Sequence, residues 1–196
     1  MIQSKEDLKF YIKCDEIARF GKEVSFKTKL RKGAMWKFNV VLRKLEYNEN
    51  CRKGIAKKIA RVFLKLKKKR LENKTDWYIA ENSFGPGLCI SHKGIVIVNS
   101  NAKFGSNVRI NAMVNVGASG GDDKAPVFGD NIYIGPGAKI FGDIKLGSNI
   151  AIGANAVVNK SFDESNVTIA GIPAKVISNH GCENMVIDAV KIASEK

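Results

Sequence analysis

Only two histidines occur in the chain, and they are the side chains whose ordinary pKa lies near neutrality. One of them, His92, lies in Ser91-His92-Lys93-Gly94. A neutral imidazole is the usual general base near pH 7, and Gly94 lets a ligand approach the backbone closely. On these residues alone His92 reads equally as a proton acceptor and as an exposed turn histidine. His180, in Ser178-Asn179-His180-Gly181, follows the last repeat and reads as a loop residue. Two histidines cannot furnish a three-imidazole zinc site, so no metal is expected. The four cysteines, at 14, 51, 89 and 182, contain no CxxC pair. They read as free thiols in a reducing compartment, the cytoplasm. Cys89, between Leu88 and Ile90 with no activating neighbour, reads as a packing residue and not as a nucleophile.

The element that must position His92 is a six-residue repeat. Phe128, Ile134, Ile140, Leu146, Ile152 and Val158 recur at that period, with a second apolar set at Ile132, Ala138, Ile144, Ile150 and Ala156. The register continues upstream through Val98, Phe104, Ile110 and Val116, with Ala102, Val108 and Val114. Six fits neither the helical period of 3.6 nor the strand period of 2. It fits a chain that turns a corner every six residues, so that three hexads close one triangular coil and stacked coils build a continuous core. The repeat begins near Phe84 and slips by two residues between Ile90 and Val98, where His92 lies. A second break, Ala118 to Pro126, is polar and Gly-rich and reads as a projecting loop.

Charge divides the chain. Residues 1–75 carry 23 Lys+Arg against 8 Asp+Glu, a net of +15, and the remainder carries 10 against 11, a net of −1. The organisation expected is a basic α-helical region over 1–76, a β-helix over 77–178 and a C-terminal tail with a short helix over 179–196. Ser4 followed by Asp7 reads as a capping box. Apolar periodicity predicts helices from about Trp36 to Leu45 and from about Lys53 to Leu71. The latter sets Ile55, Ile59, Val62, Phe63 and Leu66 on one face and Lys57, Lys58, Arg61, Lys65 and Lys68 on another. Such a helix could lie on an anionic membrane, or dock its apolar face on a neighbouring subunit and leave the lysines solvated. Basic charge alone, without interleaved aromatics or a recognisable motif, does not support nucleic-acid binding. The opening MIQSKEDLKF is not expected to act as a secretory leader, and without an apolar run of about 18 residues no membrane span is expected.

Residues 84–176 resemble the hexapeptide acyltransferases, specifically the serine acetyltransferase-like branch. The resemblance rests on FGPGLCISHKGIVIVNSNAKFG, APVFGDNIYIGPGAKIFGDIKLGSNIAIGANAVV and IAGIPAK. It implies a mainly β fold, a left-handed parallel β-helix, in a homotrimer or a dimer of trimers. It also implies acetyl-CoA in a groove between adjacent solenoids and direct acetyl transfer to a hydroxyl, with His92 as base. By position, Gly117, Pro136 and Ala154 match the pantetheine-binding positions, and Lys160 and Lys175 match basic positions near the phosphates.

The acceptor positions depart from the family. The aspartate that precedes the catalytic histidine there is Ser91 here. The aspartate that orients the histidine, fifteen residues earlier, aligns with Trp77, next to Asp76. The Arg-His pair of the projecting loop aligns with Lys124 and Ala125. An ammonium partner and a bidentate carboxylate clamp are both weakened. Ser91 and Lys124 are thus expected to meet an acceptor other than an amino acid, namely a sugar hydroxyl in bacterial surface-polysaccharide assembly at the inner face of the membrane. Serine O-acetyltransfer is the competing reading, and a non-catalytic trimeric scaffold is a third.

Overall fold

Side chains alternate sides along a strand, so a three-residue strand can point two residues inward before a corner redirects the chain. Ile132 and Ile134 point inward, Gly135-Pro136-Gly137 turns, and Ala138 and Ile140 point inward again. The computed structural model describes residues 1–23, 33–121 and 123–195; Asp122 of the predicted loop lies outside the described residues. Within these, a parallel β-solenoid of about five turns carries helices at its N-terminal end and a short helix at its C-terminus. Every apolar hexad position named above is buried.

The solenoid has three faces. The first holds β1 (Trp77–Ile79), β3 (Val96–Val98), β5 (Val114–Gly117), β8 (Lys139–Phe141) and β11 (Val157–Val158). The second holds β2 (Cys89–Ile90), β4 (Val108–Ile110), β7 (Ile132–Ile134), β10 (Ile150–Ile152) and β12 (Thr168–Gly171), with β13 (Ala174–Ser178) added antiparallel. The third pairs β6 (Val127–Phe128) with β9 (Lys145–Leu146), extended by the bridges Phe84–Phe104 and Leu146–Phe162. The first coil opens at Trp77, one strand earlier than the hexad at Phe84.

Strand register locates the two breaks. Val96 pairs with Val114 and Ile132 with Ile150, a step of 18, or three hexads. Cys89 pairs with Arg109, a step of 20, so the coil containing His92 holds two extra residues. Val116 pairs with Ile140, a step of 24, so the polar loop inserts six. One edge is held by left-handed asparagines. Asn107, Asn131 and Asn149 have φ of 55–57° and are linked by side-chain amide hydrogen bonds of 2.9 and 2.8 Å. Phe84, Phe104 and Phe128 stack behind them with centroids 4.2 and 4.1 Å apart.

Helices cap the first coil. They are α1 (Lys5–Phe20), α2 (Ala34–Cys51) and α3 (Gly54–Thr75), the last two longer than their periodicity predicted. Ser4 Oγ accepts the Asp7 amide at 2.9 Å, and the Asp7 carboxylate reaches back to the Gln3 amide at 2.8 Å. The C-terminal helix, α4 (Ala189–Ser194), packs Ala189 and Ala193 on Cys14 and Ile17 of α1. Helix α3 packs two of its lysines inward. Its packed side is Lys57, Leu64, Lys68 and Leu71, and the apolar stripe from Ile55 to Leu66 faces outward. The lysines are tolerated inside because Lys57 meets Glu49 and Lys68 meets Glu72 and Glu81.

Candidate active site

His92 occupies the corner between β2 and β3, and its side chain is exposed. Its turn is fixed by backbone bonds on both sides. The Ser91 amide donates to Ile110 (2.9 Å), Gly94 to Thr75 (3.2 Å) and Val96 to Asp76 (2.9 Å). Gly94 has φ +124°, and a Cβ there would meet the Ala112 Cβ at 3.2 Å. A side chain at that residue therefore meets both backbone strain and crowding.

Trp77 adds a fourth tether, its indole Nε1 donating to the His92 carbonyl at 3.3 Å. The ring is fully buried and meets Phe38 of α2 edge-on at 5.4 Å. An aromatic of this size buries about 150–250 Å², a contribution of about 4–6 kcal/mol, so the tether rests on a firm base. Trp77 holds the backbone of the turn and not the imidazole, so it does not take the part of an orienting carboxylate. Asp76 is exposed and ends α3 in the left-handed region. Among the described residues the imidazole itself has no hydrogen-bond partner.

Ser91 and Lys124 stand at different corners. Ser91 Oγ accepts from Arg109 Nε at 3.1 Å, and Arg109 also donates to the Met185 carbonyl at 3.2 Å. The position next to His92 is therefore backed by a guanidinium. Lys124 lies across the first face, in the loop after β5, with its ammonium 2.8 Å from exposed Asp143. Such a surface pair contributes 0–1 kcal/mol.

The five expected cofactor residues divide between two edges and one end. Pro136 and Ala154 are exposed on the same edge as His92. The corners stack directly: the Gly137 amide donates to Ala112 at 3.0 Å and the Asn155 amide to Pro136 at 2.9 Å. Ala154 lies three rungs from His92, about 14 Å at the usual inter-strand spacing. Gly117 and Lys160 lie on the opposite edge of the first face. A Cβ at Gly117 would find only Asn115 Oδ1, at 3.7 Å, so that edge is open. Lys160 lies over the Phe162 ring at 5.3 Å. Lys175 is exposed on β13, at the far end of the solenoid.

Burial pushes the Cys89 thiol above its ordinary range, with Arg19 and Arg109 only partly opposing it. A protonated buried thiol is a poor nucleophile, in line with its reading as a packing residue. A cleft of about 630 Å³ lies between α3 and the first coil, and His92 does not line it.

Sequence reasoning missed what holds Phe84–Ile90, the segment leading to His92. Fully buried Arg43 uses all five guanidinium donors. They go to Asp15 (2.8 and 3.1 Å), Glu46 (3.0 Å) and the carbonyls of Phe84 (2.9 Å) and Gly85 (2.7 Å). Asp15 also accepts the amides of Gly87 and Leu88, and Asn39 and Arg19 donate to the carbonyls of Leu88 and Ile90. Burial by itself would lower the Arg43 pKa, but Asp15 and Glu46 outweigh it and raise it, so the guanidinium stays charged. A charged residue amid an apolar helix face was the only available sign, and partners 28 residues apart in sequence were not inferable from it.

No family model matches the chain. Serine acetyltransferases of Staphylococcus aureus strain Mu50 and of Staphylococcus epidermidis strain RP62A are 38% identical over 99 residues, covering 50% of this chain and 46% of each relative. The chain thus spans about half the length of the curated relatives it matches. The crystal structure of serine acetyltransferase from Brucella abortus strain S19 superposes with a TM-score of 0.65 at 27% identity, covering 90% of this chain and 69% of that one. The complex of that enzyme with coenzyme A gives 0.66 at 27%, covering 90% and 68%. In fold and in sequence the chain is a hexapeptide-repeat protein with the left-handed β-helix of the serine acetyltransferases it resembles.

Proposed function

We propose that the chain is an acetyl-CoA-dependent O-acetyltransferase in which His92 is the general base. The supporting observation is the His92 corner. An exposed imidazole sits on a turn tethered by Trp77, Thr75 and Asp76, in line with exposed Pro136 and Ala154 on one edge. Pro136, Ala154 and Gly117 leave open backbone along which a pantetheine arm could lie, and Lys160 and Lys175 offer point charges suited to phosphate. Acetyl-CoA supplies an acetyl thioester. The His92 imidazole takes the proton of the acceptor hydroxyl as the new C–O bond forms, then passes it to the sulfur as the C–S bond breaks. A backbone N–H aimed at the developing oxyanion contributes about 3–4 kcal/mol in enzymes where this has been measured.

A second copy completes the site. His92 lies on one edge of the first face, and Gly117, Lys124 and Lys160 lie on the other. A homotrimer joins unlike edges, with Ile95, Ile97 and Met113, all exposed near His92, available for burial between copies.

The relatives favour L-serine as the acceptor. Incubation with acetyl-CoA and L-serine, followed by release of free thiol, tests this, and absence of thiol release with serine and with sugars alike would overturn the enzymatic reading. One observation favours a sugar hydroxyl instead. Arg109 stands behind Ser91, where an amino-acid acceptor needs a partner for its ammonium, and a guanidinium there repels that group. Thiol release with an activated sugar but not with serine would select this second reading.

A further inference from the structure

The outward stripe of α3 is not among the residues of the proposed site. Ile55, Ile59, Val62, Phe63 and Leu66 are each 60–75% exposed. At about 100° per residue they form one band, about 16 Å long at 1.5 Å per residue, opposite the packed Lys57–Leu64–Lys68–Leu71 side. Lys58, Lys65 and Lys69 flank the band on one side and Lys67 and Lys74 on the other, with Arg70 in line with it one turn beyond Leu66. Gly54–Thr75 contains nine Lys or Arg against the single acid Glu72. A cleft of about 220 Å³ beside Phe63 adds Lys37 and Lys44 of α2 to the same rim.

Isolated exposed apolar side chains are ordinary, but a continuous band of five is not. Pairing this face with a second copy would bring two such cationic helices together. A bilayer surface bearing negative headgroups satisfies both features at once, because the band enters the acyl boundary while the flanking ammonium groups remain at phosphate level. We propose that α3 is an interfacial helix that docks the protein on an anionic lipid surface. The packed side anchors the helix to α2, so it needs no refolding to bind.

The test is co-sedimentation of the full chain with phosphatidylcholine vesicles and with phosphatidylcholine–phosphatidylglycerol vesicles. The expected result is partition to the anionic vesicles alone. Lys67→Gln should lower it roughly fivefold, which is about 1 kcal/mol converted. Ile59→Asn with Leu66→Asn should lower it at least tenfold, with circular dichroism and Tm unchanged because both residues are exposed; Phe63→Ser is a second variant should that pair misfold. No partition to anionic vesicles, or partition unaffected by the apolar substitutions, overturns the proposal. So does a drop in solution mass for the Asn pair without any vesicle binding by the parent, which would make the band a contact between copies. Salt-sensitive retention on duplex DNA or RNA by a chain that ignores vesicles overturns it as well.

Discussion

Arg43→Met removes the centre of the network that seats the first coil. The substitution matches the stem and deletes the guanidinium, leaving a small polar void where its Cζ and two Nη atoms lay. What changes is that Asp15 and Glu46, 0% and 1% exposed, lose their cation, while the carbonyls of Phe84 and Gly85 lose a donor. Removing one partner of a buried ion pair costs about 3–5 kcal/mol. The remaining amide donors, Gly87 and Leu88 on Asp15 and Asn82 on Glu46, soften the loss toward the lower end. At about 2–4 °C per kcal/mol for a chain of this size, Tm should fall by about 6–20 °C. Thermal unfolding followed by circular dichroism reads this directly. Adding Asp15→Asn in the same chain should recover part of the loss, because the orphaned charge is then gone. A Tm within about 2 °C of the parent, or strict additivity of the two substitutions, would refute the reasoning.

Trp77→Phe keeps a ring against Phe38 but deletes the indole donor to the His92 carbonyl, a bond of about 1 kcal/mol. It should lower kcat more than it raises KM, and the smaller ring at this fully buried position should also lower Tm; a Tm loss with unchanged kcat would count against the tether. Gly94→Val forces a branched side chain to φ +124° against Ala112 and should cost about 1–3 kcal/mol in stability and reduce turnover, read by Tm and by thiol release. Burial pushes the Cys14 thiol up to about 12 and the Cys182 thiol up to about 11. Both are protonated in the fold and ionise near 9 once unfolded, so their contribution is complete below pH 9. It is lost as pH rises from about 9 to about 12. Denaturant midpoints should decline across that window, and a flat profile there would count against burial of these thiols. In native protein at neutral pH, half-buried Cys51 should react with a thiol reagent ahead of Cys14, Cys89 and Cys182.

The coils were readable because a corner every six residues imposes a period no other fold shares, and each apolar hexad position is buried. The two-residue slip at His92 was readable for the same reason, since any departure from 18 per coil shows against so regular a background. Helix α3 was readable as amphipathic, with an apolar face left for a membrane or a second subunit, but not in which of its lysines pack inward. Sequence periodicity marks a band of apolar residues without saying what covers it, and Glu49, Glu72 and Glu81 allowed the lysine-bearing side to pack inward instead. Arg109's role and the partners of Arg43 were not readable. Their partners lie across coils or across the junction of helices and solenoid, and only the folded register brings them within 3.2 Å. The departures at Ser91 and Trp77 acquire meaning from the same register: one is backed by a cation, and the other grips a carbonyl.

Catalysis by His92 can be tested by one substitution. His92→Ala, matched to the parent in Tm and in solution mass, should release thiol from acetyl-CoA about 100-fold or more slowly with whichever hydroxyl acceptor the parent turns over, as expected on losing a general base. Turnover equal to that of the parent would mean that the imidazole at the slipped corner takes no proton, and that another group does the chemistry.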